Sequence, residues 1–416
     1  MTRVTKCSGH IGRYILLGAP INVASMPGLG FRKRPRSVAA LAVATAASTG
    51  VLAVSAVGAS ASTPHARTGD ALDHALHALV DNPKGPPGIA VVLQRGAHRE
   101  LRRAGTANLA DGSPMRTGDS MRLASVSKAF NGAAALTLVS RGRLALTDTI
   151  GRSLPGLPRA WSRVTLRELL QHTSGLSDYI SSPKLAEALS ASPFKAPPPR
   201  RLLSYAKKRL AFQPGTKYAY SNTDNIVAAL MVRKAYGRSY EAALRNLVYR
   251  PFGLRHTSLP RSAAIPSPYI HGYDVSKSPP EDDTRAFAAG WAWASGGIVS
   301  TPRDANAFVR AYVRGATIDR MTRKAQFTFR PGSSEPPGPG RNSAGLGLFR
   351  YQTRCGTVYG HTGSTAGYTQ FVAATPDGRR SVAVSANAQI NPHSDATTFK
   401  ELRHVYTLAV CAVLRG

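Results

Sequence analysis

The chain has 416 residues, 43% of them hydrophobic, with 38 glycines and 29 prolines. This composition excludes a collagen-like, fibrous or wholly disordered protein, and the length suits about two domains of ordinary size. The 54 lysines and arginines against 22 acidic residues give a net charge of +32, and three cysteines are too few for a disulfide-framed miniprotein.

Residues 1–61 have the pattern of a targeting segment. A basic run, Arg32–Arg36, precedes the uncharged apolar stretch Val38–Val57, and Ala59-Ser60-Ala61 has the small residues that a signal peptidase reads. Alanine, serine and glycine partition weakly into lipid, so we expect a signal peptide cleaved near Ala61 rather than a retained anchor. The domain formed by residues 62–416 is then expected to work outside the cytoplasm.

The excess of positive charge bears on the partners of the protein. An extracellular protein this basic attracts polyanions such as cell-wall polymers or anionic lipid. Nucleic acid suits the pattern less, because the arginines are scattered and no recognition motif is present. In an oxidising compartment Cys355 and Cys411 are most simply a disulfide, the alternative being two buried free thiols.

The predicted elements run from strands to helices and back to strands. Gly88–Gln94 predicts a buried strand with a hairpin partner around residues 100–103, and residues 125–144 predict an apolar helix. Helical patterns then dominate residues 145–285, for example at 166–170, 225–236 and 240–248. This order indicates a helical region, about residues 130–285, inserted into a sheet domain of the α+β type.

Strand signals return from Gly290 onward. The run Gly345–Phe349, with its alternate glycines, predicts the beginning of a strand. Residues 369–375 and 380–387 predict two paired strands around the turn Pro376-Asp377-Gly378, and residues 398–414 predict a C-terminal helix.

A Ser-x-x-Lys pair places a hydroxyl and an amine one helical turn apart, where a neutral amine can take the proton of the serine. The chain contains four such pairs: Ser125/Lys128, Ser181/Lys184, Ser192/Lys195 and Ser204/Lys207. Only Ser125 follows a strand-like stretch and opens an apolar helix, whose positive end suits an oxyanion. The alternative for Ser125 is an ordinary helix cap.

Two further motifs could serve the same chemistry. Tyr220-Ser221-Asn222 is the only Tyr-x-Asn among 15 tyrosines; a nearby lysine would lower the pKa of the phenol so that it accepts or relays a proton. His361-Thr362-Gly363-Ser364 predicts a strand edge at which a substrate backbone could pair as an added strand. The alternatives are an ordinary capped turn for Tyr220–Asn222 and a structural histidine for His361.

In order and spacing, Ser125-x-x-Lys128, Tyr220-x-Asn222 and His361-Thr362-Gly363 resemble the serine penicillin-recognising hydrolases. The likeness covers residues 75–411 and points to the class C β-lactamase-type branch, closest to the exocellular D-alanyl-D-alanine carboxypeptidases, which typically carry His-Thr-Gly. It implies a β-lactamase/transpeptidase-like fold: an antiparallel sheet flanked by N- and C-terminal helices, with an inserted, mostly helical domain.

The resemblance also implies roles for the residues. Ser125 would attack the carbonyl and form an acyl-enzyme, with Lys128 and Tyr220 sharing the general-base and general-acid work. The N–H groups of Ser125 and Ser364 would form the oxyanion hole. Substrate binding would fall to Asn222, His361, Thr362, Gly363 and Arg350, with a disulfide between Cys355 and Cys411.

Arg350 departs from the family pattern. The carboxypeptidases have an arginine for the substrate carboxylate directly after Gly-Leu-Gly-Leu, whereas here Phe349 holds that position and Arg350 follows. A shift of one residue along a strand turns the side chain to the opposite face. The resemblance therefore leaves the recognition of a terminal carboxylate open.

We expect a secreted, monomeric D-alanyl-D-alanine carboxypeptidase that acts on peptidoglycan peptides or binds β-lactams, without a cofactor or metal. A β-lactamase, an esterase or a D-aminopeptidase of the same build is the alternative within the fold. A non-catalytic cationic wall-binding protein is the alternative from another class.

Overall fold

The computed structural model describes residues 64–415, so the predicted leader, residues 1–61, lies outside the described residues. Within this range a seven-stranded antiparallel sheet has the order β2-β1-β11-β10-β9-β8-β7, and two small two-stranded sheets pair β3 with β6 and β4 with β5. The strands are β1 Gly88–Arg95, β2 His98–Gly105, β3 Met121–Arg122, β4 Tyr273–Asp274, β5 Glu281–Asp282, β6 Val299–Ser300, β7 Arg341–Ala344, β8 Phe349–Thr353, β9 Gly356–Thr365, β10 Tyr368–Ala374 and β11 Arg380–Ala386.

Helices cover both faces of the large sheet. The α-helices are α1 Pro64–Asp81, α2 Ser127–Ser140, α3 Ile150–Ser153, α4 Leu166–Leu170, α5 Pro183–Ala191, α6 Pro199–Leu202, α7 Asn222–Tyr236, α8 Tyr240–Leu244, α9 Pro302–Val313, α10 Arg320–Gln326 and α11 Ala396–Arg415. The terminal helices α1 and α11 pack together on one face, and α9 packs on the other. This arrangement confirms the expected sheet with flanking N- and C-terminal helices.

The central strands are buried along nearly their whole length because both faces of the sheet are covered. In β1, Gly88–Gln94 are all buried, and in β10 every residue is buried. Helices α2 to α8 follow β2 in the chain and pack mainly on one another, with α2 against α7. In the chain, the helical region therefore lies between β1–β2 and β7–β11 of the large sheet, which is the order that the sequence predicts.

The run Gly345–Leu348 is not the beginning of a strand, contrary to the sequence-based expectation. It is the turn that joins β7 to β8, and β8 begins only at Phe349. Gly347 has φ +68°, and a Cβ at this position would lie 2.8 Å from the Cα of Gly132 in α2. The glycine thus serves close packing of the turn against α2, a contact that strand alternation cannot reveal.

Cys355 and Cys411 form a disulfide, as the resemblance implies, with their Cα atoms 5.1 Å apart. It joins the β8–β9 turn to α11. Among the residues that the structure describes, no helix is long and apolar enough to cross a membrane.

Candidate active site

Ser125 lies in a single 3-10 turn, Ala124–Val126, between β3 and α2. Strand β3 pairs with β6, and the N–H of Leu123 donates to the carbonyl of Ile298. Ala124 has φ +49°, a left-handed conformation that costs a non-glycine residue free energy and is frequent next to functional groups. Ser125 therefore lies in the turn directly before α2. The N-cap residue of α2 is Val126.

Lys128 is buried, and three acceptors surround its amine. The Nζ atom lies 2.9 Å from Ser125 Oγ, 2.7 Å from Asn222 Oδ1 and 2.7 Å from the Ser295 carbonyl oxygen. Burial lowers the pKa of Lys128 to about 7, although the carboxylates of Asp178 and Asp224 oppose the shift. A lysine with this pKa can lose its proton near neutral pH and act as a base toward Ser125.

The other Ser-x-x-Lys pairs lack this environment. Ser181, Ser192 and Ser204 are exposed, as are the lysines that follow them. The exposed positions of these three lysines give them none of the buried contacts that surround Lys128. Burial singles out the Ser125/Lys128 pair from these similar patterns.

Asn222, the first residue of α7, is held between a cation and a carboxylate. Its Oδ1 accepts from Lys128 Nζ, and its Nδ2 donates to Asp178 Oδ2 at 2.8 Å. Because a carboxylate can only accept this bond, Asp178 orients the amide with its oxygen toward Lys128. Burial raises the pKa of Asp178 to about 6, against the opposing hydrogen bond from Asn222.

Tyr220 lies between the amine of Lys128 and the ring of His172. Lys128 Nζ is 4.9 Å from the Tyr220 ring centroid, and the His172 ring centroid is 4.5 Å away. The phenol hydroxyl is buried without a hydrogen-bond partner. Burial raises the pKa of Tyr220 well above its usual value, opposed by the Ser125 hydroxyl. The expected lowering of this pKa is therefore wrong: desolvation prevails, and the phenol stays protonated.

A buried histidine–aspartate pair, His172 and Asp224, lies beside Tyr220 and was not predicted from the sequence. His172 Nδ1 lies 2.8 Å from Asp224 Oδ2, and Ser174 donates to the other carboxylate oxygen. His172 has φ +57°. Its position within His172-Thr173-Ser174-Gly175 and the placement of Asp224 two residues after Asn222 were visible signals, but their convergence depends on the fold.

The end of β9 forms the wall of the site opposite α7. Pairing with β8 ends at Gly360, so His361–Thr365 pair only with β10 and leave their other edge free. A Cβ at Gly363 would lie 2.5 Å from the Leu123 carbonyl oxygen and 3.2 Å from Ser125 N. Glycine at this position therefore lets β9 approach the turn that holds Ser125, beside the free edge where a substrate could pair.

His361 is buried and neutral. Its Nδ1 lies 2.6 Å from the Thr362 carbonyl oxygen, which can only accept, so Nδ1 carries the proton. Burial, aided by the charge of Lys128, lowers the pKa of His361 to about 3. With Lys128 and His172 it lines a small cavity below the site. His361 supplies no positive charge for an anionic substrate.

Thr362 and Ser364 lie on the face of β9 opposite His361 and Gly363, as strand alternation requires. The hydroxyls of both residues are buried without a hydrogen-bond partner. Buried hydroxyls of this kind are uncommon in folded proteins, and these two lie on one face of the strand beside its free edge.

Arg350 stands apart from this group. In the β8–β9 register it lies opposite Tyr359, and its guanidinium stacks 4.9 Å from the Phe329 ring centroid, with one nitrogen 3.5 Å from Ser343 Oγ. It therefore shares the face of Tyr359 and His361 rather than that of Thr362. The other predicted site residues converge around Ser125, whereas the contacts of Arg350 are to residues outside that cluster.

No group of three or more histidine, cysteine or acidic side chains suited to a metal is present among residues 64–415. Within this described range, the amine of Lys128 is the cation that contacts Ser125 Oγ.

Known proteins with similar sequences belong to one family of hydrolases. A family model described as Beta-lactamase matches residues 73–407. A D-aminopeptidase of Cereibacter sphaeroides is 30% identical over 339 residues, which cover 79% of this chain and 62% of that protein. Penicillin-binding protein 4* of Bacillus subtilis is 25% identical over 321 residues, covering 72% of this chain and 68% of that protein.

Among solved structures, a D-stereospecific amidohydrolase from Streptomyces sp. superposes with a TM-score of 0.70 at 29% identity, covering 80% of this chain and 98% of that one. The match to the D-aminopeptidase spans only about three fifths of that protein, since 62% of it is covered.

Proposed function

This chain is a serine hydrolase of the Beta-lactamase family, and we propose that it hydrolyses amide bonds whose carbonyl belongs to a D-amino acid residue. The observation that carries the proposal is the buried amine of Lys128, 2.9 Å from Ser125 Oγ and with a pKa lowered to about 7. The D-aminopeptidase and D-stereospecific amidohydrolase relatives support the configuration of the acyl donor.

In the proposed reaction, neutral Lys128 takes the hydroxyl proton of Ser125 while Oγ bonds to the carbonyl carbon. Backbone N–H groups at the Ser125 turn and at Ser364 receive the oxyanion, each donor worth roughly 10²–10³ in rate. The carbon–nitrogen bond then breaks, and the leaving amine takes a proton from the Tyr220 phenol, which Lys128 reprotonates. Water releases the acyl group by the reverse sequence of proton transfers.

The D-alanyl-D-alanine carboxypeptidase is the finer form of this proposal, since it too cleaves after a D-residue. His361-Thr362-Gly363 and the Cys355–Cys411 disulfide support it. Arg350 stacks on Phe329 and lies on the face of β9 opposite Thr362, which favours the D-aminopeptidase or amidase form instead, because Arg350 is then not placed beside Thr362 to hold a terminal carboxylate.

Mass spectrometry after incubation with benzylpenicillin tests the acyl-enzyme. We expect a single adduct on Ser125 that is absent in Ser125→Ala and retained in Ser204→Ala, whose serine begins an exposed Ser-x-x-Lys pair. A stable adduct indicates a peptidase, and rapid turnover of the drug indicates a β-lactamase. Labelling that persists in Ser125→Ala would refute the assignment of the nucleophile.

Chromogenic D- and L-aminoacyl anilides and an N-acyl-D-alanyl-D-alanine peptide test the acyl donor. We expect the D-anilide to be preferred over its enantiomer by more than about tenfold. Release of D-alanine from the peptide alone would favour the carboxypeptidase. Equal rates for the two enantiomers, with ester hydrolysis intact, would make the protein an esterase of this family.

We propose further that the protein is exported, acts as a monomer and binds anionic wall polymers. The pattern of residues 32–61 and the disulfide, which suits an oxidising compartment, support export. Cell fractionation with N-terminal sequencing tests cleavage near Ala61, and sedimentation tests the monomer. Salt-sensitive binding to wall material that also occurs with Ser125→Ala would support the polymer contact, because that variant keeps the positive charge.

A further inference from the structure

We propose that a cluster of four arginines, at the end of the large sheet remote from Ser125, binds a phosphate-bearing polymer. The arginine patch consists of Arg99, Arg310, Arg314 and Arg379, which belong to β2, to the C-terminal end of α9 and to the β10–β11 turn. The patch gives the proposed contact with anionic wall polymers a location on the fold, and it rests on that part of the proposed function.

Two hairpin turns, β1–β2 and β10–β11, meet at this end of the sheet. The Gly96 N–H of the first turn donates to the Arg379 carbonyl oxygen of the second at 2.7 Å. Arg310 of α9 bridges the turns, with its Nε 2.9 Å from the Gly378 carbonyl oxygen and a terminal nitrogen 3.1 Å from that of Gly96. These bonds hold the Arg310 guanidinium in place between the two turns.

Arg99 and Arg314 adjoin Arg310. The Gly96 carbonyl oxygen, which Arg310 contacts, also accepts from Gln94 Nε2 at 3.0 Å. Gln94 Oε1 in turn accepts from Arg99 Nε at 3.2 Å. Arg314 follows Arg310 by four residues at the end of α9, so the two share one face of the helix. Burial lowers the pKa of Arg310, and the positive charges of Arg314 and Arg99 lower it further.

Arg379 completes the arginine patch from the β10–β11 turn. Two residues further on, Ser381 Oγ donates to Asn306 Oδ1 of α9 at 3.1 Å, so strand alternation places Arg379 on the side of α9 as well. The one acidic residue of this turn is Asp377, whose Oδ1 accepts from the Thr375 hydroxyl and the Arg379 N–H. One negative charge therefore accompanies four positive ones.

No carboxylate neutralises the arginine patch directly. Among residues 64–415, none of the ion pairs includes a member of the patch. Glu100, next to Arg99 in β2, pairs instead with Arg95 and Arg102. In the β1–β2 register Glu100 is opposite Leu93, whose side chain packs in the cluster that contains α11, on the other face of the sheet. Like charges held together in this way repel one another, and a bound polyanion would relieve that repulsion.

The chemistry of the arginine patch suits phosphate groups along a chain. A guanidinium donates two parallel hydrogen bonds to a phosphate, and a polymer with many phosphates can contact several arginines at once. A bilayer surface suits the patch less, because interfacial binding also uses apolar side chains that enter the lipid. In the part of the chain that the structure describes, the exposed large apolar residues lie outside both turns; they are Leu109, Phe194 and Met321.

The arginine patch is separated from the candidate active site by the length of β10. Ser364 is opposite Thr369, near the beginning of β10, whereas the β10–β11 turn follows Ala374 at its end. The strand between these places is extended, so they lie about 15–20 Å apart. A polymer bound at the patch would hold the protein and leave the Ser125 site open to substrate.

Calorimetric titration with long-chain inorganic polyphosphate tests the patch. The test variant combines Arg99→Gln, Arg314→Gln and Arg379→Gln and keeps Arg310, whose bonds hold the two turns. We expect its Kd for polyphosphate to rise about tenfold relative to the wild type. The dependence of Kd on salt concentration should also become shallower, because fewer phosphate contacts release counterions.

The matched control combines Arg159→Gln, Arg163→Gln and Arg238→Gln, which remove the same charge from three exposed positions of the helical region. Its Kd should rise less than about twofold, because these arginines lie outside the patch. Thermal denaturation verifies that both triple variants fold. Should the test variant unfold, Arg314→Glu alone replaces it, with Arg238→Glu as its control and the same expected order of Kd values.

Equal weakening in the test and control variants would overturn the arginine patch, because binding would then follow net charge alone. Tighter binding to phosphatidylglycerol vesicles than to polyphosphate, lost in the test variant, would overturn the polymer in favour of a lipid surface. Slower acylation by benzylpenicillin in saturating polyphosphate would place the polymer at the active site and overturn the remote location.

Failure of the proposed function has different signs. Without any polyphosphate binding by the wild type, the proposed polymer contact fails and the patch fails with it. A wild-type protein that binds polyphosphate through the patch but forms no penicillin adduct would overturn the proposed hydrolase and leave the arginine patch standing.

Discussion

At the scale of single residues, the site depends on charged groups that the fold removes from water. Lys128 is desolvated, and Asp178 and Asp224 only partly restore the stability of its ammonium form. The balance leaves the amine near its titration midpoint at neutral pH, the condition under which a base is most effective. Tyr220 is buried as well, and its phenol remains a proton donor.

The pH dependence of acylation should follow Lys128. Because the neutral amine is the active form and its pKa is lowered to about 7, kcat/KM should rise with pH through about 7 and then level off. Lys128→Arg should abolish this rise and lower kcat/KM by roughly 10²–10⁴, since guanidinium does not deprotonate. Stopped-flow acylation by benzylpenicillin over pH 5–9 measures both effects, with Lys207→Arg as an exposed control. A flat profile for the wild type would contradict this role.

Asp178 should act through Asn222 and Lys128 without touching the substrate. Asp178→Asn removes a negative charge that favours the ammonium form, so the rising limb of the pH profile should move to lower pH. The Asn222 amide also loses its charged acceptor, and we expect the plateau of kcat/KM to fall about tenfold. Asp111→Asn, at an exposed position, should change neither quantity. A lowered plateau with an unmoved limb would mean that Asp178 has a structural role alone.

At the scale of elements, the site is the junction of α2, α7 and β9. The turn that holds Ser125 follows β3 on one side, and the backbone of β9 contacts it on the other. Gly363 permits this contact, and Gly347 permits the approach of the β7–β8 turn to α2. Close backbone packing, rather than side-chain contacts, sets the distance between the strand edge and Ser125.

Gly363→Ala should displace β9 from the nucleophile. The added Cβ would lie 2.5 Å from the Leu123 carbonyl oxygen, so one of the two backbones must move. A misplacement of about 1 Å costs roughly 10²-fold in rate, and we expect a loss of that size in acylation by benzylpenicillin. Gly118→Ala is the control, because nothing lies within 4 Å of its Cβ. An alanine variant with full activity would show that β9 does not position the substrate.

At the scale of the whole molecule, different helices pack on the two faces of the large sheet. One face packs on α1 and α11, to which the disulfide ties the β8–β9 turn. The other face meets α9, while the β9 edge meets the turn that precedes α2. The disulfide lies at the opposite end of β9 from His361–Thr365, so stability and chemistry are separated along this strand.

Replacement of both Cys355 and Cys411 by serine should therefore lower stability and spare activity. The bridge spans 56 residues, for which loop-closure entropy corresponds to about 4 kcal/mol. We expect Tm to fall by about 5 °C, with kcat/KM at 25 °C unchanged. Calorimetry of the variant and of reduced wild-type protein should agree, and an unchanged Tm after verified reduction would contradict this contribution.

Local pattern was enough to predict much of this molecule. Apolar runs and helical periodicity located β1, β10, β11, α4, α7 and α11, and the order of the elements gave the inserted helical region, because these features depend on near neighbours. The spacing of Ser125 and Lys128 likewise follows from one turn of helix.

Contacts between distant segments decided the rest. Lys128 meets Asn222 across 94 residues and Ser295 across 167, and these contacts distinguish it from three exposed lysines in the same motif. The pairing of His172 with Asp224 and the turn at Gly345–Leu348 arise in the same way. Burial and net local charge, which set protonation states, are sums over such contacts and have no signature in the spacing of residues along the chain.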